Sequence, residues 1–145
     1  MPKVRSQHNQ LRELTLQRRG DADVLFRNKR WRGSVYLVGY SVECALKAAI
    51  CRGLREKNLR DELAVHDLYI LVGSKALKGV PRIALWQLMQ IEPGVMASFE
   101  RMAATWSSEM RYETTKMDRE MARQALEDAT TVTDWLNRQY VGELL

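Results

Sequence analysis

The stretch from Tyr36 to Ile50, YLVGYSVECALKAAI, constrains the fold most, because almost every residue in it is apolar or small. Four residues with polar groups interrupt it at intervals of four, three and four: Tyr36, Tyr40, Glu43 and Lys47. At 100° per residue of an α-helix, these four fall within an arc of about 60°. The rest of the circumference is apolar or small, which predicts a central helix packed by neighbours on most sides.

The polar stripe on this helix has two interpretations. In the first, it is the solvent-exposed edge of the helix, with half-buried tyrosines and a Glu43–Lys47 ion pair on the surface. Such an i,i+4 pair contributes only about 0.2–0.5 kcal/mol. In the second, the stripe lines a groove or a subunit interface, where phenols and a charge pair offer hydrogen bonds and stacking. Periodicity alone favours the exposed edge without excluding the groove.

The rest of the chain is also predicted to be helical, and its boundaries are marked by residues that cap helices. Ser34 is a candidate N-cap for the central helix, and Asp67 precedes a short helix that Gly73 would end. The segment TKMD, Thr115 to Asp118, resembles a capping box before the last helix. Residues at helical spacing over six turns predict that this helix has one largely apolar face, formed by Met121, Ala125, Ala129, Val132, Leu136 and Tyr140.

The fold class that follows is all-α. With 145 residues, of which 46% are hydrophobic, the chain has the size and composition of one domain, 1–145, with its core at about 11–140. Further helices are predicted from Pro81 through Met89 and from Val95 through Ala104. We therefore expect an up-and-down bundle of four to five helices.

Composition limits the function classes. A formal net charge of +5 permits contact with nucleic acid or an acidic partner without establishing either. Much of the excess precedes Gly33, and the simpler interpretation of this basic leading third is a solvated helix face. Those cations are Lys3, Arg5, Arg12, Arg18, Arg19, Arg27, Lys29, Arg30 and Arg32.

The cysteines and the chain ends favour a cytoplasmic protein without metal or cofactor. Cys44 and Cys51 would lie about 10 Å apart along one helix, too far for a disulfide, and two free thiols suit a reducing compartment. No Cys/His cluster has the spacing of a metal site. The first ten residues lack the apolar core of a secretory signal. The apolar run of about fifteen residues is shorter than the twenty or so that span a bilayer, so no membrane contact is expected.

Three motifs in order carry a resemblance to a known family. They are YLVGYSVECALKAAI, then HDLYILV at His66 to Val72, then WSSEMRY at Trp106 to Tyr112 before a long last helix. Over roughly Leu11 to Tyr140, this combination resembles the HEPN domain. The resemblance implies a helical bundle, frequent homodimerisation and two functional branches. One branch acts beside a nucleotidyltransferase-fold protein, often as a toxin–antitoxin pair, and the other comprises metal-independent ribonucleases.

The ribonuclease branch uses an Arg, a polar residue and, a few positions later, a His. In the last part of the chain the matching residue would be Arg111, but no His follows it. The alternative match is Arg60, Asp61 and His66 in RDELAVH. There the imidazole would move the proton of a 2′-hydroxyl while the guanidinium stabilises the phosphate. The competing interpretation of His66 is structural, since it directly precedes a predicted N-cap.

The resemblance therefore leads to a favoured hypothesis and two alternatives. The favoured one is a non-catalytic HEPN module that binds a nucleotide, RNA or a protein partner. Its groove or interface would use Tyr36, Tyr40, Glu43, Lys47, Arg111 and Tyr112. The alternative role of Arg111 is a bridge to Glu43 across the bundle, which would fix the last helix against the central one. The alternatives are a ribonuclease toxin that uses Arg60 and His66, and a dimeric scaffold without a ligand.

Overall fold

The computed structural model describes residues 7–74, 85–112 and 116–139, apart from the side chains of residues 111 and 112. These ranges contain six α-helices and no β-strand: α1 (Gln7–Arg27), α2 (Trp31–Gly53), α3 (Leu68–Val72), α4 (Leu85–Gln90), α5 (Pro93–Thr105) and α6 (Arg119–Gln139). Two 3-10 turns, Asp61–Leu63 and Ser108–Tyr112, lie between them. The all-α prediction is confirmed, and four long helices form the bundle with two short ones added.

Helix α2 is the centre of the bundle, as its sequence predicts. It packs against α1, α3, α6 and the second 3-10 turn, while α5 packs on α6. Every residue from Ser41 to Cys51 is buried. By length and hydropathy alone α2 could cross a membrane, but 83% of its most apolar window is buried inside the bundle. The expected run of about fifteen residues is thus a 23-residue helix, and burial, rather than insufficient length, assigns it to a protein core.

Two of the predicted caps are wrong. Helix α2 begins at Trp31, so Ser34 lies in its first turn and is buried, where its hydroxyl donates to the Ala22 carbonyl at 2.8 Å. Helix α6 begins at Arg119, later than a capping box starting at Thr115 would place it. Its cap is Asp118, whose carboxylate accepts from the Met121 N–H at 2.8 Å. Thr115 itself lies outside the described residues.

The other predicted boundaries are confirmed where the structure describes them. The Asp67 carboxylate accepts from the backbone N–H groups of Tyr69 and Ile70, which caps α3. Gly73 ends that helix with a φ of 86°, a left-handed conformation that glycine adopts without steric cost. The predicted start at Pro81 falls outside the described residues, as does Tyr140 at the end of the last helix face.

Polar contacts fix α6 against its neighbours. Nε and Nη2 of Arg101 on α5 donate to the carboxylate of Asp128 on α6, at distances from 2.7 to 3.2 Å. Arg19 of α1 donates to the hydroxyls of Thr130 and Thr133. Since Asp128 is buried, its charge requires such a bidentate partner.

Helix α2 and the segment after α5 approach each other closely at Gly39. The indole of Trp106, which follows α5, lies directly on this glycine, and a Cβ there would stand 2.1 Å from Trp106 Cδ1. The Trp106 indole N–H donates to the Tyr36 carbonyl at 2.9 Å. Only a residue without a side chain permits this contact, so Gly39 and Trp106 together dock the segment after α5 onto α2.

Gly39→Ala should therefore destabilise the protein. The added methyl group overlaps three atoms of a rigid ring, so Trp106 must move and lose its hydrogen bond, at a cost of about 2 kcal/mol or more. The matched control is Gly20→Ala in α1, where a Cβ meets nothing within 4 Å and better helix propensity should add about 0.5–1 kcal/mol. Urea unfolding of both variants measures the difference. Equal stability of the two variants would contradict the close contact.

Candidate functional site

The polar stripe of α2 is centred on a buried carboxylate. Glu43 has only 1% of its side chain exposed, and both of its oxygens are engaged. Oε2 accepts from Lys47 Nζ at 3.3 Å, and Oε1 lies 2.6 Å from Nδ1 of His66. The side chain of Lys47 is 10% exposed. The interpretation of this pair as a surface ion pair is therefore wrong, and the reason is that the segment before α3 covers it.

His66 links this buried pair to solvent. Its side chain is 54% exposed although its Nδ1 contacts the buried Glu43. A carboxylate at 2.6 Å can only accept, so Nδ1 carries the proton and donates it to Oε1. A carboxylate that holds one ring nitrogen in this way sets the tautomer and orientation of the imidazole and leaves Nε2 for other partners.

His66 also lines a cleft of about 340 Å³. The cleft lies between the start of α3 and the segment that follows α5. Its described lining consists of His66, Asp67, Leu68, Tyr69, Ala103, Trp106, Ser107 and Ser108. None of these described lining residues is Lys or Arg. The cleft therefore offers an imidazole, the Asp67 carboxylate that caps α3, hydroxyl groups and a partly exposed phenol.

The two tyrosines of the stripe lie outside this lining. Tyr36 and Tyr40 are half-buried, with ring centroids 6.4 Å apart. Burial raises the pKa of the Tyr40 phenol, and the nearby Cys44 and Glu43 add to this effect while Arg18 opposes it. Burial likewise raises the pKa of the Cys44 thiol to about 12, so it stays protonated at neutral pH. The predicted stripe is thus divided into a buried charge pair and a half-exposed aromatic surface.

Arg60 and His66 make contacts with different partners. The Arg60 guanidinium donates to the Glu56 carboxylate, with Nη2 to Oε1 at 2.6 Å, and its pKa is raised by this bond. No hydrogen bond joins Arg60 to His66 in the described part of the chain. Each residue therefore has an established neighbour, Glu56 for Arg60 and Glu43 for His66.

The second 3-10 turn contains Arg111 and Tyr112, whose side chains lie outside the described residues. Its first residue, Ser108, lines the cleft. Residues three apart are eclipsed in a 3-10 turn, so the backbone of residue 111 lies one turn beyond Ser108. Whether the Arg111 guanidinium contacts Glu43 stays a prediction.

Sequence reasoning missed the serines of the cleft and the closeness of Glu43 to His66. Both depend on the segment after α5 and the segment before α3 packing against α2, which local patterns do not encode. The one available signal was Gly39, because an isolated glycine inside an apolar helix indicates a close approach. Among the described residues, no group of three His, Cys, Asp or Glu side chains is arranged to hold a metal ion.

Replacing Glu43 should expose the dependence of the site on its charge. Glu43→Ala leaves the buried Lys47 without its partner and removes the carboxylate that holds His66, and it should cost roughly 3 kcal/mol of unfolding free energy. Glu43→Gln keeps the shape and should cost less. The matched control is Glu56→Ala, which removes only the exposed pair with Arg60 and should leave the stability unchanged. Chemical unfolding measures all three, and a Glu43→Ala variant as stable as the control would contradict the buried pair.

Comparison with known proteins adds a family. No curated protein and no solved structure matches the chain. The family model described as HEPN domain matches residues 10–139, nearly the whole length. Membership of this family assigns the chain in general terms to modules associated with nucleotides or RNA. This match over nearly the whole length, together with the all-α bundle, shows that the chain belongs to the HEPN domain family.

Proposed function

We propose that this protein is a non-catalytic HEPN module that holds a nucleotide or a short RNA segment at the His66 cleft. It acts in the cytoplasm beside a nucleotidyltransferase-fold partner, in a toxin–antitoxin or defence-type system. The observation that carries the proposal is the exposed imidazole of His66, held at the cleft by the buried Glu43 carboxylate. A buried charge pair that orients one solvent-facing ring is a costly arrangement, and ligand binding gives it a use.

The dimensions and groups of the cleft fit a nucleotide. A volume of about 340 Å³ lies at the lower end of the range of small-molecule sites. Nε2 of His66, the Ser107 and Ser108 hydroxyls and the Tyr69 phenol supply hydrogen-bonding groups. Arg111, one 3-10 turn beyond Ser108, is our proposed phosphate ligand, since guanidinium groups bind phosphate oxygens in bidentate fashion.

One observation favours a second candidate, a metal-independent ribonuclease. The Glu43–His66 contact resembles the carboxylate–imidazole pairs in which a carboxylate orients a general base. In this mechanism Nε2 of His66 would accept the 2′-hydroxyl proton and Arg60 would stabilise the phosphate. The bonds from Arg60 to Glu56 would have to be exchanged for bonds to the substrate. That requirement makes us favour binding.

Metal-free incubation with structured RNA tests both candidates. The wild-type protein, His66→Ala and Arg111→Ala are each mixed with labelled RNA and with a labelled mononucleotide in the presence of EDTA. We expect binding without cleavage, with affinity reduced at least tenfold in Arg111→Ala. Cleavage that His66→Ala abolishes would overturn the binding proposal in favour of the ribonuclease. Absence of any binding would overturn both in favour of the scaffold, and Arg60→Ala serves as the control whose binding should match wild type.

We also propose that the half-exposed surface of Tyr36 and Tyr40 forms a homodimer interface. Aromatic side chains of this kind are enriched at interfaces, where one end is apolar and the other polar. Light scattering should then give twice the chain mass of 16.8 kDa, and Tyr40→Arg should give the monomer mass. Leu88→Arg, at an exposed position of α4, is the control that should remain dimeric. A monomeric wild-type protein would contradict the interface.

A further inference from the structure

The connection between α1 and α2 concentrates positive charge. The sequence RNKRWR, Arg27 to Arg32, has four cations in six residues. Arg27, Lys29 and Arg30 are all exposed. The turn is fixed by backbone hydrogen bonds into the last turn of α1, from Arg30 N–H to the Leu25 carbonyl at 2.8 Å and from Lys29 N–H to the Phe26 carbonyl at 3.0 Å. The cations are therefore carried on an ordered turn.

A further cation reaches the same place from α6. The guanidinium of the exposed Arg119 lies 6.0 Å from the centre of the Phe26 ring. Phe26 in turn contacts Trp31 edge-to-face, with ring centroids 5.2 Å apart. Trp31 is partly exposed. We call this surface the basic corner: Arg27, Lys29, Arg30 and Arg119 around Trp31.

The four cations of the basic corner have no carboxylate partner among the described residues, a property that they share with the exposed Arg55, Lys57 and Arg138. Four other arginines do have carboxylate partners: Arg18 with Asp21, Arg60 with Glu56, Arg101 with Asp128, and Arg123 with Glu120 and Glu127. Within the described ranges, no ion pair uses the four cations of the corner. The nearest carboxylates in sequence are Asp23, one turn before Arg27, and Glu120, which Arg123 already engages. What distinguishes the corner is that four such cations lie around one partly exposed aromatic ring, Trp31.

Arg32 connects the basic corner to the cleft. Its Nη2 donates to the Met110 carbonyl in the second 3-10 turn at 2.6 Å. The first residue of that turn, Ser108, lines the cleft. Arg32, which directly follows Trp31 of the corner, and the lining of the cleft thus contact the same 3-10 turn.

We propose that the basic corner binds the phosphate backbone of a single-stranded polynucleotide, with a base stacked on Trp31. Separate cations along two elements suit a chain of phosphates, and an aromatic ring among them is the feature that stacks bases. An acidic protein would use the cations without requiring the ring of Trp31, whereas a single strand uses both. That the strand continues into the cleft rests on the proposed function, whereas binding at the corner does not.

The test is the affinity of charge-matched variants for a labelled single strand of about twelve nucleotides, as RNA and as DNA of the same sequence. The corner variant is Arg27→Gln/Lys29→Gln/Arg30→Gln, and the control is Arg55→Gln/Lys57→Gln/Arg138→Gln at other exposed positions. Both lower the formal net charge from +5 to +2. Fluorescence anisotropy across a salt series gives the affinities, and circular dichroism checks that both variants fold.

We expect the corner variant to bind at least tenfold more weakly than the control. Its plot of log affinity against log salt should be shallower by about 2, since single strands contribute about 0.7 per phosphate contact. Trp31→Leu should lose about fivefold or more. Tighter binding of RNA than DNA would assign the ligand to RNA, and equal binding would assign it to single strands generally.

Three results would overturn the proposal: no binding by wild type, equal affinity of corner and control variants, or displacement by polyglutamate with no effect of Trp31→Leu. The last result would indicate that the ligand of the corner is an acidic protein.

Mononucleotide binding separates this proposal from the proposed function, because a mononucleotide needs only the cleft. A corner variant that keeps mononucleotide binding and loses the single strand supports the corner. Loss of mononucleotide binding in His66→Ala or Arg111→Ala tests only the cleft and leaves the proposal for the corner unchanged.

Discussion

The structure depends on the buried carboxylate of Glu43. A charge this far from solvent is tolerated only with partners, and Glu43 has two, Lys47 on its own helix and His66 on the segment before α3. The pair with Lys47 is local, whereas the pair with His66 joins parts of the chain 23 residues apart. The same contact therefore satisfies a buried charge, fixes the segment that leads into α3 and orients the imidazole at the cleft.

The second constraint is the contact between Gly39 and Trp106, one turn before Glu43 on the same helix. It places the segment after α5 against α2 and forms the other wall of the cleft. Because Arg32 also holds this segment, through the Met110 carbonyl, its two ends are attached to α2. One wall of the cleft is therefore a short, doubly anchored piece of chain, and the second anchor, Arg32, directly follows Trp31 of the basic corner.

The sequence predicts the features that depend on local spacing, such as helices and caps. It does not predict the side-chain contacts that depend on residues far away in the chain. The central position of α2 follows from its apolar circumference, and the Asp67 cap from a side chain that bonds its own backbone neighbours. Ser34 shows the limit, since a serine near a helix start can cap or be buried, and its bond to Ala22 is decided by α1. The burial of Glu43 could not be predicted either, because His66 covers it from a segment without periodicity.

The most direct test of the account is the protonation pattern of the His66 ring, read from two-bond proton–nitrogen NMR correlations with and without a short RNA. At a pH where the ring is neutral, the account predicts the Nδ1–H tautomer, held by Glu43, in place of the Nε2–H tautomer usual for a histidine in water. It also predicts that RNA shifts the Nε2 signal while Nδ1 keeps its bond. An Nε2–H tautomer in the free protein, or a ring unaffected by RNA, would contradict it.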